Sequence, residues 1–283
     1  MRLVPMLRYR LKPLPHYSVQ PSMRSDMLVP TPSFWSDRLQ ASGIHLALSL
    51  AIAGLAALFV FGIWYPYPYR EISGGRELFL LVVTVDVILG PLITLAVFNR
   101  KKPWAELRRD LSIVALIQLA ALGYGLWTVY VARPVHLVFE VDRFRVVHAI
   151  DVPLELLSKT PPNVNAMPLT GPTLLSVRSA KDAKEQEEVT MQELAGLPLG
   201  ARPDFWQPYA VAVPAVLKAA KPVALLKSRF ASRTAEIDRA IASTGRTPQA
   251  LVYLPMAGRK DFWTVLLDPV TADVLAYLPV DSF

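Results

Sequence analysis

Three apolar stretches, each long enough to cross a bilayer, constrain this chain more than anything else in it. A helix needs about 20 mostly apolar residues to span the hydrocarbon core. Ile44–Tyr65, Leu78–Phe98 and Leu111–Val131 reach that length, and no later stretch does so without charges or prolines. The first is too long, and too far from residue 1, to read as an ordinary cleaved signal peptide.

Basic residues in short flanks set orientation. Arg2, Arg8, Arg10, Lys12, Arg24 and Arg38 precede the first span. The loop between the second and third spans holds Arg100, Lys101, Lys102, Arg108 and Arg109. The loop 66–77 holds only Arg70 and Arg76, each beside a glutamate. The N-terminus and the basic loop are therefore expected in the cytoplasm, and the first loop and everything after residue 131 outside. Trp64, Tyr65, Tyr67, Tyr69, Trp127 and Tyr130 would crowd the outer interface, with Trp104 at the inner one. Residues 1–43 read as a basic cytoplasmic tail dotted with proline; a true start at Met23 or Met27 is the alternative.

Net charge is +7, and residues 132–283 contribute little of it, with 17 Lys and Arg against 16 Asp and Glu. The excess flanks the spans, which suits contact with membrane lipids and argues against a nucleic-acid partner. Cysteine is absent. Disulfides, thiolate metal sites and thiol catalysis are thereby excluded.

Residues 132–283 are expected to form an α+β domain with antiparallel strands. The run 134–152 reads as a hairpin turning at Asp142-Arg143, and 160–172, rich in proline and asparagine, as loop. Residues 180–196 suit a surface helix capped by Ser179 and ended by Gly196. Thr234–Thr244 suits another, with Ile237 and Ile241 one turn apart. Ala250–Leu254, Phe262–Leu267 and Val274–Leu278 predict an antiparallel meander. No catalytic motif, cofactor site or metal site is expected. His136 and His148 lie on the two hairpin arms without a third ligand, and the acidic run at 185–188 suits a solvated helix face.

The second span contains an anomaly, 84-TVDVILGPLITL-95. An ionisable side chain there costs at least roughly 2.5–3.5 kcal/mol on insertion scales and should face other helices. Asp86 lies about 12 Å from the outer end. By depth, the Tyr124 hydroxyl could reach it. Gln118 sits level with Gly90 and Pro91, and could donate to the carbonyl of residue 87, which the proline frees. Ser49, Ala53 and Ala57 share one helix face and Ala121 and Gly125 another, both suited to close packing. Asp86, Gly90, Pro91, Gln118 and Tyr124 are thus expected to form a polar clamp between helices or a docking site for another protein's membrane helix. A proton or ion path is the third reading.

The succession 43-GIHLALSL-50, 64-WYPYPY-69, 73-SGGRELFLLVVTVDVILGPLITLAVFN-99, 105-AELRRDL-111, 118-QLAALGYG-125 and 132-ARPVHLVFEVDRFRV-146 resembles the type IV pilin accessory proteins of the TfpX/TfpZ type. The resemblance implies a bacterial inner-membrane protein with its C-terminal domain in the periplasm. Such a protein would bind its cognate major pilin, by membrane helix and periplasmic head, and aid its stability, assembly or display. Other pilus assembly components are further expected partners, and no enzymatic role is implied. Asp86, Gly90, Pro91, Arg108, Arg109, Asp110, Gln118, Tyr124, Arg133, Pro134, Phe139 and Arg143 occupy the matching positions. The rival readings are a membrane-anchored periplasmic enzyme or binding domain, and a sensor or transport component.

Overall fold

A computed structural model describes residues 34–283. The alternative starts at Met23 and Met27, and the tail up to residue 33, lie outside the described residues. Residues 34–43 are helical. They open the first helix, α1 (Phe34–Phe59), which passes into a π turn at Val60–Trp64. A single turn, α2 (Tyr69–Ile72), then leads into α3 (Gly75–Val97) and α4 (Trp104–Val131). Three helices, Trp35–Trp64, Gly75–Val97 and Trp104–Val131, are long and apolar enough to cross a membrane. α3 lies between α1 and α4.

The remaining elements are β1 (Pro134–Glu140), β2 (Arg143–His148), β3 (Thr173–Val177), α5 (Ala183–Leu194), β4 (Trp206–Pro208), α6 (Val213–Ala219), β5 (Lys221–Pro222), α7 (Val223–Arg229), α8 (Thr234–Ser243), β6 (Val252–Ala257), β7 (Phe262–Leu267) and β8 (Val274–Leu278). One sheet runs in the order β4-β3-β1-β2-β6-β7-β8, with β5 paired to β6. It is mixed, which corrects the antiparallel expectation. The β1–β2 hairpin and the β6–β7–β8 meander are antiparallel, but β3 joins β1, and β6 joins β2, in parallel. Each parallel joint follows a long crossover, as parallel pairing requires.

The hairpin turns one residue earlier than expected. Glu140 pairs with Arg143, so Val141 and Asp142 make the turn, with Val141 at φ +48°. Glu140 holds this register: its buried carboxylate accepts from Gly200 N at 2.5 Å and from Arg145 Nε at 2.9 Å. Helix α5 is capped by Asp182, which accepts from Glu185 N, and not by Ser179.

Alternation along the strands builds a core on each sheet face. Phe139, Phe144, Met256 and Val265 pack on one face, under Val216 of α6. On the other, Tyr253 and Leu266 meet α7 and α8, while Val138 and Val147 meet Trp206. His136 is fully buried on this second face, its ring 4.4 Å from Trp206. Its Nδ1 lies 2.7 Å from Thr173 Oγ1 and its Nε2 3.1 Å from the Ala166 carbonyl. A neutral ring donating to Ala166 and accepting from Thr173 satisfies both nitrogens.

Burial lowers the His136 pKa from 6.5 to about 4. The unfolded chain therefore takes up a proton that the folded chain refuses as pH falls from about 6.5 to 4. Stability contributed by the neutral ring is full above that window and lost through it. Urea midpoints at pH 7.5 and 4.5 should fall further apart in the wild type than in His136→Gln.

Candidate functional site

The loop between the first two long helices is not an interfacial fringe, as its aromatic residues suggested. It enters the sheet domain. Tyr69 and Ile72 are buried members of the first core, beside Leu137 and Phe144. The Tyr69 and Tyr277 hydroxyls lie 3.2 Å apart. The β6–β7 turn closes on the same loop: Lys260 N donates to the Ile72 carbonyl at 3.1 Å, and Gly258 lies against Ile72. Tyr65, also buried, donates from its hydroxyl to the Val129 carbonyl at 3.1 Å, tying the end of the first span to the end of α4. Gly171 N donates to the Ile63 carbonyl at 2.7 Å. Buried Arg133 donates to the carbonyls of Tyr130 and Pro168, linking α4 to the loop before β3. Bundle and domain thus share a packed, hydrogen-bonded joint.

Within the bundle, Gln118 Nε2 donates to the Asp86 carbonyl at 3.3 Å and to Asp86 Oδ1 at 3.4 Å. It uses the carbonyl of residue 86, not the one of residue 87 that Pro91 frees. Gly90 makes the approach possible, since a Cβ there would overlap Gln118 Nε2. Two turns of α3 closer to the domain, Val82 packs on Gly125, where a Cβ would overlap Val82 Cγ1. Val82, Asp86 and Gly90, four residues apart, thus form one face of α3 against α4.

A second face of α3 meets α1. Ser42 Oγ donates to the Pro91 carbonyl at 2.9 Å, and His45 Nδ1 lies 2.6 Å from Thr94 Oγ1. His45 thus pairs across the two helices. Ser49 and Ala53 are buried and Ala57 is half-buried, so that seam faces inward. Tyr124 does not join Asp86: its ring is 74% exposed on the outer surface of α4. Ala121 is exposed beside it, whereas Gly125 is buried. Losing one intramembrane hydrogen-bond donor costs about 0.6 kcal/mol on average. Gln118→Leu is therefore expected to lower the thermal midpoint of the detergent-solubilised chain only slightly.

At the opposite end from the domain, the basic loop is partly neutralised. Lys102 Nζ lies 2.7 Å from Asp110 Oδ2, and Arg109 3.6 Å from the same carboxylate. Arg100 reaches Asp37 at 3.1 Å. Lys101 and Arg108 are exposed. In the sheet domain, His136 and His148 take separate partners, His148 Nδ1 lying 3.1 Å from Asp151. No group of three His, Cys, Asp or Glu that could hold a metal occurs among the described residues.

An apolar bundle carrying one folded domain locked to its end defines a membrane-associated protein. Comparison with known proteins narrows the class. The family model for fimbrial assembly protein FimB matches residues 33–74. The fimbrial assembly protein of Dichelobacter nodosus serogroup I is 35% identical over 245 residues, 86% of this chain and 95% of that protein. The serogroup E1 protein is 34% identical over 244 residues, with the same coverage. The protein of serogroups C1 and C2 is 44% identical over 116 residues, 41% of this chain and 88% of that protein. No solved structure matches. The chain belongs to the fimbrial assembly protein family, among the type IV pilus accessory proteins, and its role lies in pilus assembly.

Proposed function

We propose that this protein is a non-enzymatic factor of the bacterial inner membrane that holds a cognate type IV pilin before assembly. The N-terminus and the basic loop face the cytoplasm and the sheet domain faces the periplasm. One observation carries the reading: the first extramembrane loop is built into the core of the sheet domain through Tyr69 and Ile72. A pilin subunit has a membrane helix and a head outside. A partner whose membrane and outer parts move as one body can hold both at a set spacing. Asp86, Gly90 and Gln118 serve as the internal clamp of the bundle. The exposed α4 surface at Ile117, Ala121 and Tyr124 is free to meet the pilin helix, with Ala121 the small residue that permits close approach.

Deleting the gene, with pilin and surface pili measured separately, tests this. Loss of surface pili that returns on complementation is expected. Falling pilin would assign the help to subunit stability, and normal pilin without pili to assembly. Unchanged pili and unchanged pilin would refute the reading.

A further inference from the structure

At the basic end of the bundle, α1 and α4 diverge over α3 and leave a groove of about 420 Å³. Ile44, Leu48, Val114 and Ala115 line its sides, and Thr94 and Phe98 its floor. Its volume lies in the range of small-molecule sites, roughly 300–1,000 Å³. The polar atoms on the floor are spent on each other, in the contact between His45 and Thr94. Apart from Asp37, Gln40 and Arg100 in the turns nearest the basic loop, the walls offer apolar contact.

Two features identify what fills it. The first is depth. The α1 wall runs from Asp37 to Leu48, about 16 Å of helix. That is half of a hydrocarbon core of about 30 Å, the reach of one leaflet. A crossing helix from another protein would need a groove of twice that length, whereas an acyl chain needs no more. The second is charge. Arg100 stands at the mouth, 61% exposed and held there by Asp37, with exposed Lys101 beside it. Basic pockets between membrane helices bind anionic headgroups.

We propose that this groove is a binding site for one anionic phospholipid of the leaflet on the basic side. One acyl chain lies between α1 and α4, and the phosphate sits against Arg100 and Lys101. The lipid fills the space between α1 and α4 over α3. This inference needs only that the three helices cross a bilayer, so its failure would leave the pilin reading standing.

Native mass spectrometry of the full chain, stripped of lipid in mild detergent, tests the site. The chain is titrated with dioleoylphosphatidylglycerol and, in parallel, with dioleoylphosphatidylcholine. A single saturable phosphatidylglycerol adduct is expected, binding roughly fivefold or more tightly than phosphatidylcholine. Arg100→Gln should erase that preference, and Ala115→Trp should abolish the adduct. Ala41→Phe, on the opposite wall, repeats the block should Ala115→Trp fail to fold, and Ala120→Trp, on exposed α4 surface, should leave the adduct intact. Equal retention of both lipids, or an adduct that survives both blocking variants, would overturn the proposal. So would displacement of the lipid by an apolar membrane-helix peptide that those variants then fail to bind.

Discussion

Ile72→Asp is expected to release the sheet domain from the helical bundle. Ile72 is fully buried, with Gly258 against its side chain and Lys260 bonded to its carbonyl. The substitution removes apolar contacts and leaves a carboxylate without a partner in the core, at a cost of about 4 kcal/mol or more. Domains of this size have only about 5–15 kcal/mol in total. The expected result is a chain still embedded through its three helices but with residues 132–283 open to trypsin. Ile72→Val, costing about 1 kcal/mol, should stay resistant. If Ile72→Asp were as resistant as the wild type, the shared joint would not exist in solution.

Gly125→Leu should force α4 away from α3. A Cβ alone would overlap one methyl group of Val82 and stand 2.9 Å from the other, and a branched side chain there cannot be absorbed by a rotamer change. Overpacking of this kind costs roughly 1–3 kcal/mol, and more where both backbones must move. The same displacement would draw Gln118 away from Asp86, because Gly125 and Gln118 lie seven residues apart on one face of α4. Disulfide trapping is a direct measure, since the chain has no native cysteine. A Cys pair placed at 86 and 118 should crosslink in the parent and much less once Gly125→Leu is added. Val82→Ala should restore part of the crosslink by making room.

The long helices, the meander strands and the hairpin were legible because their signals are local. A run of 20 apolar residues or an alternating pattern needs no knowledge of the rest of the chain. What depends on distant pairing was not. Nothing in Thr173–Val177 says that it will lie parallel to β1, and nothing in the loop around Tyr69 says that it will enter a core. Aromatic rings near a membrane surface have a sufficient explanation in the interface itself, and that explanation hid the joint.

The intramembrane site shows a subtler gap. By depth the Tyr124 hydroxyl falls beside Asp86 and Gln118 falls deeper, level with Gly90 and Pro91, yet it is Gln118 that meets Asp86. Direction around the helix separates them. Six residues at 3.6 per turn rotate Tyr124 by about 240° from Gln118, while seven bring Gly125 to within about 20° of it. Leu107, Val114, Gln118, Gly125 and Val129 indeed mark the inward stripe of α4. Azimuth could have been read from the sequence; depth alone was too little. The turn at Val141 could not, because a valine at positive φ is uncommon and is imposed here by the bonds of Glu140.

Photocrosslinking in living cells tests the central claim most directly. A photoreactive residue at position 124, on the exposed face of α4, should yield an adduct containing the pilin whenever pilin is produced. A second placed at buried Val129 should crosslink only within the chain. Adducts from position 124 that contain only this chain's own segments, in cells rich in pilin and with the chain folded, would contradict the account.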